Sequence, residues 1–128
     1  MTERIHRIST ETAPLPLGHY SQAVVHGGLV FVSGQLPIVP AGGKKITDSI
    51  EDQALQTLKN IEAILDSAGS SIDKVLKVTI YIPDMDLWGK VNEVYSEFFG
   101  EHKPARAVVP TRALPGGFKI EIEAIAAL

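Results

Sequence analysis

From Lys119 to Ala126 the chain reads Lys-Ile-Glu-Ile-Glu-Ala-Ile-Ala, a period of two that suits an extended strand. Successive side chains of a strand point to opposite faces, so Ile120, Ile122, Ala124 and Ala126 share one side while Lys119, Glu121 and Glu123 share the other. Such a strand needs a sheet beside it and a cover for its apolar side. Four more segments supply strands. Ala23-Val24-Val25 and Leu29-Val30-Phe31-Val32 flank His26-Gly27-Gly28, where the glycine pair permits the positive φ angles of a tight hairpin. Val75 to Ile82 is rich in β-branched residues and is stopped by Pro83. Arg106 to Val109 reads as another extended piece.

The cover comes from two segments of helical period. Ile50, Ala54, Leu58, Ile61, Leu65 and Ala68 draw one apolar stripe on a helix of about 20 residues. Asp48 is expected to cap its first turn, with Glu51 as capping-box partner, and Gly69 to end it. A second helix is expected from about Asp86 to Phe99, with Leu87, Val91, Val94 and Phe98 on one face and Gly100 as terminator. The order hairpin, helix, strand, helix, strand, strand predicts an α+β fold with both helices on one face of a mixed sheet. Pro14, Pro16 and Gly18-His19-Tyr20 make an early loop, and Pro37 to Lys45 another. Apolar and small residues on the sheet's second side would leave a broad apolar surface on a monomer, which self-association would cover.

Length and composition limit what such a sheet can do. At 128 residues, one domain spanning residues 1–128 is expected, and 45% hydrophobic residues suffice for a core. A formal charge of −3, from 12 Lys and Arg against 15 Asp and Glu, gives no reason to expect nucleic acid or an anionic membrane. Lys44-Lys45 reads as a solvated pair in a loop. The absence of cysteine excludes disulfides, thiolate metal sites and a cysteine nucleophile. The polar start, Met1-Thr2-Glu3-Arg4-Ile5-His6-Arg7, lacks a secretory core, so a soluble cytoplasmic location is the default expectation.

Candidate chemistry begins with Arg106, a permanent cation within Pro104-Ala105-Arg106-Ala107-Val108-Val109-Pro110. A guanidinium among apolar residues needs a carboxylate, a phosphate or carbonyls to meet its planar fork. Two readings follow from spacing: an ion pair with Glu121 or Glu123 on a neighbouring strand, or a site for an incoming anion. The four histidines, His6, His19, His26 and His102, lack metal-site spacing, so no metal is expected. Gly27-Gly28, Gly42-Gly43 and Gly116-Gly117 are turn pairs without a phosphate motif. Ser33-Gly34-Gln35 follows a strand without a nucleophile elbow, which favours a hydrogen-bonding role for Ser33. Tyr20, Asn92 and Glu121 remain as polar residues without an obvious packing role.

Taken in order, Gly18-His19-Tyr20-Ser21-Gln22, Phe31-Val32-Ser33-Gly34-Gln35-Leu36-Pro37, Val91-Asn92-Glu93-Val94-Tyr95, Pro104-Ala105-Arg106 and Ile120 to Ala126 resemble the signature segments of the RidA (YjgF) family, over nearly the whole chain. The resemblance implies a chorismate-mutase-like α+β fold assembled as a homotrimer, with sites in the clefts between subunits. It implies hydrolytic deamination of reactive enamines and imines, the 2-aminoacrylate-type by-products of pyridoxal-phosphate enzymes, to 2-oxo acids and ammonia, without a cofactor. In that reading Arg106 holds the substrate carboxylate, Glu121 positions or activates water, and Tyr20, Ser33 and Asn92 line the pocket. The chemistry is compatible, because an imine carbon is already electrophilic and positioning can supply most of the acceleration.

Two positions depart from the family pattern: His19 stands where proline is usual, and Val108 where a cysteine is common. The segment Pro110 to Pro115 also differs, so the sequence leaves the preferred iminoacid open. Other activities associated with the family are an endoribonuclease or translation-inhibiting role, chaperone-like binding and ligand-responsive regulation. A protein that binds a small carboxylate without turnover is a further alternative. The acidic balance argues against the nucleic-acid version.

Overall fold

The computed structural model describes residues 4–43 and 45–128; the leading Met1, Thr2 and Glu3, and Lys44 of the basic pair, lie outside them. The strands are β1 (His6–Ile8), β2 (Ala23–His26), β3 (Leu29–Gln35), β4 (Val75–Ile82), β5 (Ala105–Pro110) and β6 (Glu121–Ala127), with helices α1 (Ile50–Ser67) and α2 (Trp88–Phe99). They form one six-stranded sheet in the order β1-β2-β3-β6-β4-β5. Only β4 and β5 pair in parallel, as they must when a helix carries the chain across between them. The architecture is the expected mixed α+β one, enlarged by β1. Three largely exposed residues with two charged or titratable side chains gave that edge strand no periodicity to read.

The β2–β3 hairpin turns at Gly27 and Gly28, with φ of 61° and 77°, a backbone that matches the right-handed twist of the strands. Strand β6 runs through the middle of the sheet and divides its faces as its alternation requires. Ile122, Ala124 and Ala126 are buried with Val30 and Val32 of β3 and Val78, Ile80 and Ile82 of β4, beneath α1 and α2. Glu121, Glu123 and Ile125 look out on the other side with Phe31, Thr79 and Tyr81. Among the described residues neither α1 nor α2 covers that second face.

Helix α1 buries its expected stripe from Ile50 to Leu65, with Ala68 partly buried just past its end, and three polar residues besides, Gln53, Thr57 and Asn60. Each has a partner. Asn60 Nδ2 donates to the carbonyls of Leu36 and Ile38 at 3.1 and 2.8 Å, and Gln53 Oε1 accepts from Lys119 N at 2.9 Å, so the helix grips the loops on both sides of it. Its cap is Ser49, not Asp48. Ser49 Oγ accepts from Asp52 N at 3.3 Å, because the helix begins one residue later than its acidic flank indicates. Asp48 instead meets Lys119 Nζ at 3.5 Å, which also takes Lys119 away from the strand's glutamates.

Helix α2 starts at Trp88 after a 3₁₀ turn over Met85–Leu87, slightly later than expected. Its most buried line is Val91, Tyr95 and Phe99, with Leu87, Val94 and Phe98 partly covered. The apolar stripe is therefore rotated toward Tyr95, where an aromatic ring outweighs its hydroxyl. Gly69 and Gly100, at φ of 82° and 63°, end the two helices as expected.

Candidate functional site

Register decides where the candidate residues go. Val78 of β4 stands between Ala124 of β6 and Arg106 of β5, so Arg106 shares the helix-covered face with two buried neighbours. Glu121 stands opposite Tyr81, and Glu123 opposite Thr79, on the open face. Arg106 and the glutamates thus leave the sheet in opposite directions. The ion pair between them that spacing allowed is not formed: among the described residues the single carboxylate-to-cation contact is Lys119 with Asp48.

Arg106 finds other partners. Its Nη1 donates to Asn92 Oδ1 at 3.0 Å, and its Cζ lies 4.6 Å from the ring centre of Trp88 and 4.9 Å from that of Tyr95. All three partners come from α2, and the parallel β4-α2-β5 connection is what places helix and arginine side by side. A hollow of about 380 Å³ runs past the guanidinium between Tyr95, Phe99, His102 and Pro104. Burial pushes the Tyr95 phenol above its ordinary value, and the nearby Arg106 charge partly offsets this. The expected neighbours Arg106 and Asn92 are therefore joined.

Tyr20, Ser33 and Glu121 meet elsewhere, in a cleft of about 590 Å³ that Leu17, Gly34, Pro115 and Glu123 complete. Two devices bring them together. A bulge in β3 between Val32 and Gln35 puts Ser33 and Gly34 where the ladder with β6 slips, beside Glu121. The loop before β2 is held by buried Gln22, whose Oε1 accepts from Thr10 N at 2.7 Å and whose Nε2 donates to Pro14 O at 2.8 Å. Ser33 Oγ donates to Ser21 O at 2.6 Å and fastens that loop to the bulge, so its hydroxyl is engaged as the hydrogen-bonding reading expected. Tyr20 is about half exposed at the rim, and its Oη accepts from Leu17 N at 3.2 Å.

Glu121 is the electrostatic centre of this cleft. Burial first, and the charge of Glu123 second, push its carboxyl above the ordinary value. Glu123 is held two residues on by Tyr81, whose Oη donates to Oε1 at 2.7 Å. That hydrogen bond, reinforced by burial and by both glutamate charges, raises the Tyr81 phenol. Gly34 lies against the carboxylate so closely that a Cβ there would overlap Glu121 Oε2 and stand 3.2 Å from Cδ. Among the described residues no three His, Asp or Glu side chains gather as metal ligands.

Sequence reasoning missed Trp88, Tyr95, Gly34 and Tyr81. Spacing held a signal for the first two. Trp88, Asn92 and Tyr95 fall at i, i+4 and i+7 of one helix, a single line of side chains aimed at β5. Gly34 and Tyr81 had none, because a bulge and a cross-strand register are not local properties.

A six-stranded α+β sheet with a cation on one face and a raised carboxyl in a cleft on the other defines a class of small protein with two separate polar clusters. Residues 10–128 match the family model described as Endoribonuclease L-PSP, and the chain belongs to that family, also called YjgF or RidA. A RutC family protein of Pyrococcus horikoshii is 52% identical over 119 residues, 93% of this chain and 94% of that one. The chloroplastic Reactive Intermediate Deaminase A of Arabidopsis thaliana is 46% identical over 121 residues, 94% of this chain and 65% of that one. The crystal structure of Escherichia coli TdcF with bound serine superposes with a TM-score of 0.90 at 40% identity, covering 96% of this chain and 98% of that one. The family thus includes reactive intermediate deaminases, and a small amino acid occupies one of its structures.

Proposed function

We propose that the chain hydrolyses reactive 2-iminoacids and their enamine tautomers to 2-oxo acids and ammonia, as a homotrimer whose sites are completed between subunits. One observation carries this reading: Arg106 with Asn92, and Glu121 with Tyr20 and Ser33, occupy opposite faces of one sheet, so neither half suffices alone. Apposing the halves from two copies puts an anion anchor across from a proton-handling carboxyl. The open face, with Phe31, Ile125 and Val109 among its residues, is the surface available for that association. Support comes also from the family's deaminases and from the serine in TdcF, whose α-carboxylate is the group a 2-iminoacid shares.

In the reaction, Arg106 takes the substrate carboxylate on two parallel N–H groups. Water attacks the imine carbon and gives up a proton, the C=N electron pair moves to nitrogen, and nitrogen takes up a proton. The nitrogen of the resulting carbinolamine takes a second proton, the C–N bond breaks to release ammonia, and the hydroxyl loses its proton as the C=O bond forms. Glu121 suits both kinds of transfer, since a carboxyl raised toward neutrality can donate to nitrogen and accept from oxygen. Tyr20 and Leu17 at the rim of that half shield the reacting carbon from bulk water.

The test couples a pyridoxal-phosphate dehydratase to the protein and follows imine loss. Arg106→Ala is expected to fall by about a hundredfold or more, toward the spontaneous rate, with circular dichroism and assembly unchanged. Full activity in that variant would sink the proposal.

A further inference from the structure

An anchor works only if it is held still, and Arg106 sits exposed on an edge strand and donates one hydrogen bond to a neighbouring side chain. Its two aromatic neighbours explain how it is fixed. Guanidinium planes lie over ring faces while their N–H edges stay free for an anion, an arrangement that an ammonium cannot match. Trp88 and Tyr95 lie 4.6 and 4.9 Å from Cζ, and Asn92 between them on the same helical line takes one of the five donors at 3.0 Å. Tyr95 adds a second clue. Its ring, not its oxygen, makes the contacts that matter here: the ring lies 4.9 Å from Arg106 Cζ and 4.6 Å from the Phe99 ring.

We infer that Trp88 and Tyr95 form an aromatic seat that orients Arg106 for a carboxylate, with Trp88 as a positioning residue for the anchor. The inference rests on the proposed function, in which Arg106 holds the substrate. Leucine at position 88 keeps much of the apolar bulk and removes the π face; phenylalanine restores a face.

Trp88 is the chain's sole tryptophan, so its fluorescence reports on the seat independently of turnover. In the coupled assay, Trp88→Leu is expected to raise KM about tenfold with kcat within about twofold, and Trp88→Phe to recover most of that loss. The emission spectrum of the wild type should differ from that of Arg106→Ala, and 2-oxobutanoate should perturb the former saturably and the latter not at all. A KM unchanged in Trp88→Leu, a Trp88→Phe variant no better than Trp88→Leu, or identical emission with and without the Arg106 side chain would each overturn the seat. Absence of turnover in the wild type would defeat the deaminase reading alone, and the emission comparison would then decide the seat.

Discussion

The carboxylate of Glu121 rests on the one residue of β3 that has no side chain to push it away, and this contact links a bulge in one strand to the chemistry of another. Gly34 lies outside the left-handed region, so alanine can adopt its backbone and would normally gain stability by restricting the unfolded chain. What alanine cannot do is leave Glu121 in place, because its Cβ claims the space of Oε2. The carboxylate is the far end of a flexible side chain and can swing aside at small cost. Gly34→Ala is therefore expected to keep its melting temperature or raise it slightly, while kcat/KM for imine hydrolysis drops about tenfold or more from the misplaced carboxyl. Parallel thermal denaturation and coupled-assay measurements check both halves; undiminished activity would show that the position of Glu121 does not matter.

At the scale of elements, β6 does two jobs with one alternation. Ile122, Ala124 and Ala126 bind the sheet to its helices, and the residues between them place two carboxylates on one open face. The second job opposes the first. A carboxyl whose folded pKa stands above its unfolded value binds more protons in the native state, so its contribution favours folding at low pH and is lost as pH rises through the raised value. For Glu121 the window opens near the ordinary value of 4.5 and extends upward. Glu121→Gln, which does not titrate, should melt progressively higher than the wild type as pH is raised from 4 to 7, about equal at the acid end and inactive throughout. A melting difference independent of pH would remove the strain assigned to this carboxyl.

Elements of this kind were legible wherever their cause was local. The alternation of β6, the β-branched run of β4, the Gly27-Gly28 turn and the stripe of α1 each follow from neighbouring residues, and each stands where the sequence places it. Strand β1 and the rotation of α2 toward Tyr95 depend on packing partners remote in sequence, and Asp48 is drawn from the cap position to Lys119, leaving Ser49 to cap α1. The candidate site divides the same way. Arg106, Asn92, Tyr20, Ser33 and Glu121 could be picked out singly, but their grouping into two sets follows from the sheet order, which puts β4 between β5 and β6.

For the whole molecule, that grouping is the property most open to experiment. If every site takes Arg106 from one subunit and Glu121 from another, Arg106→Ala and Glu121→Ala chains are defective in different halves and each still supplies the half the other lacks. Either variant alone is expected to be inactive. Mixed, unfolded together and reassembled at equal concentrations, they should form sites of all pairings, and about a quarter would receive both an intact arginine and an intact glutamate. Activity should therefore return to roughly a quarter of the wild-type value after co-refolding and stay absent when the two proteins are mixed without unfolding, provided subunits exchange slowly. Recovery cannot occur if both residues act within one chain, since no chain in the mixture carries the pair. A co-refolded sample that assembles normally but remains inactive would place the reaction within single subunits, or outside these two residues, and would refute the intersubunit site.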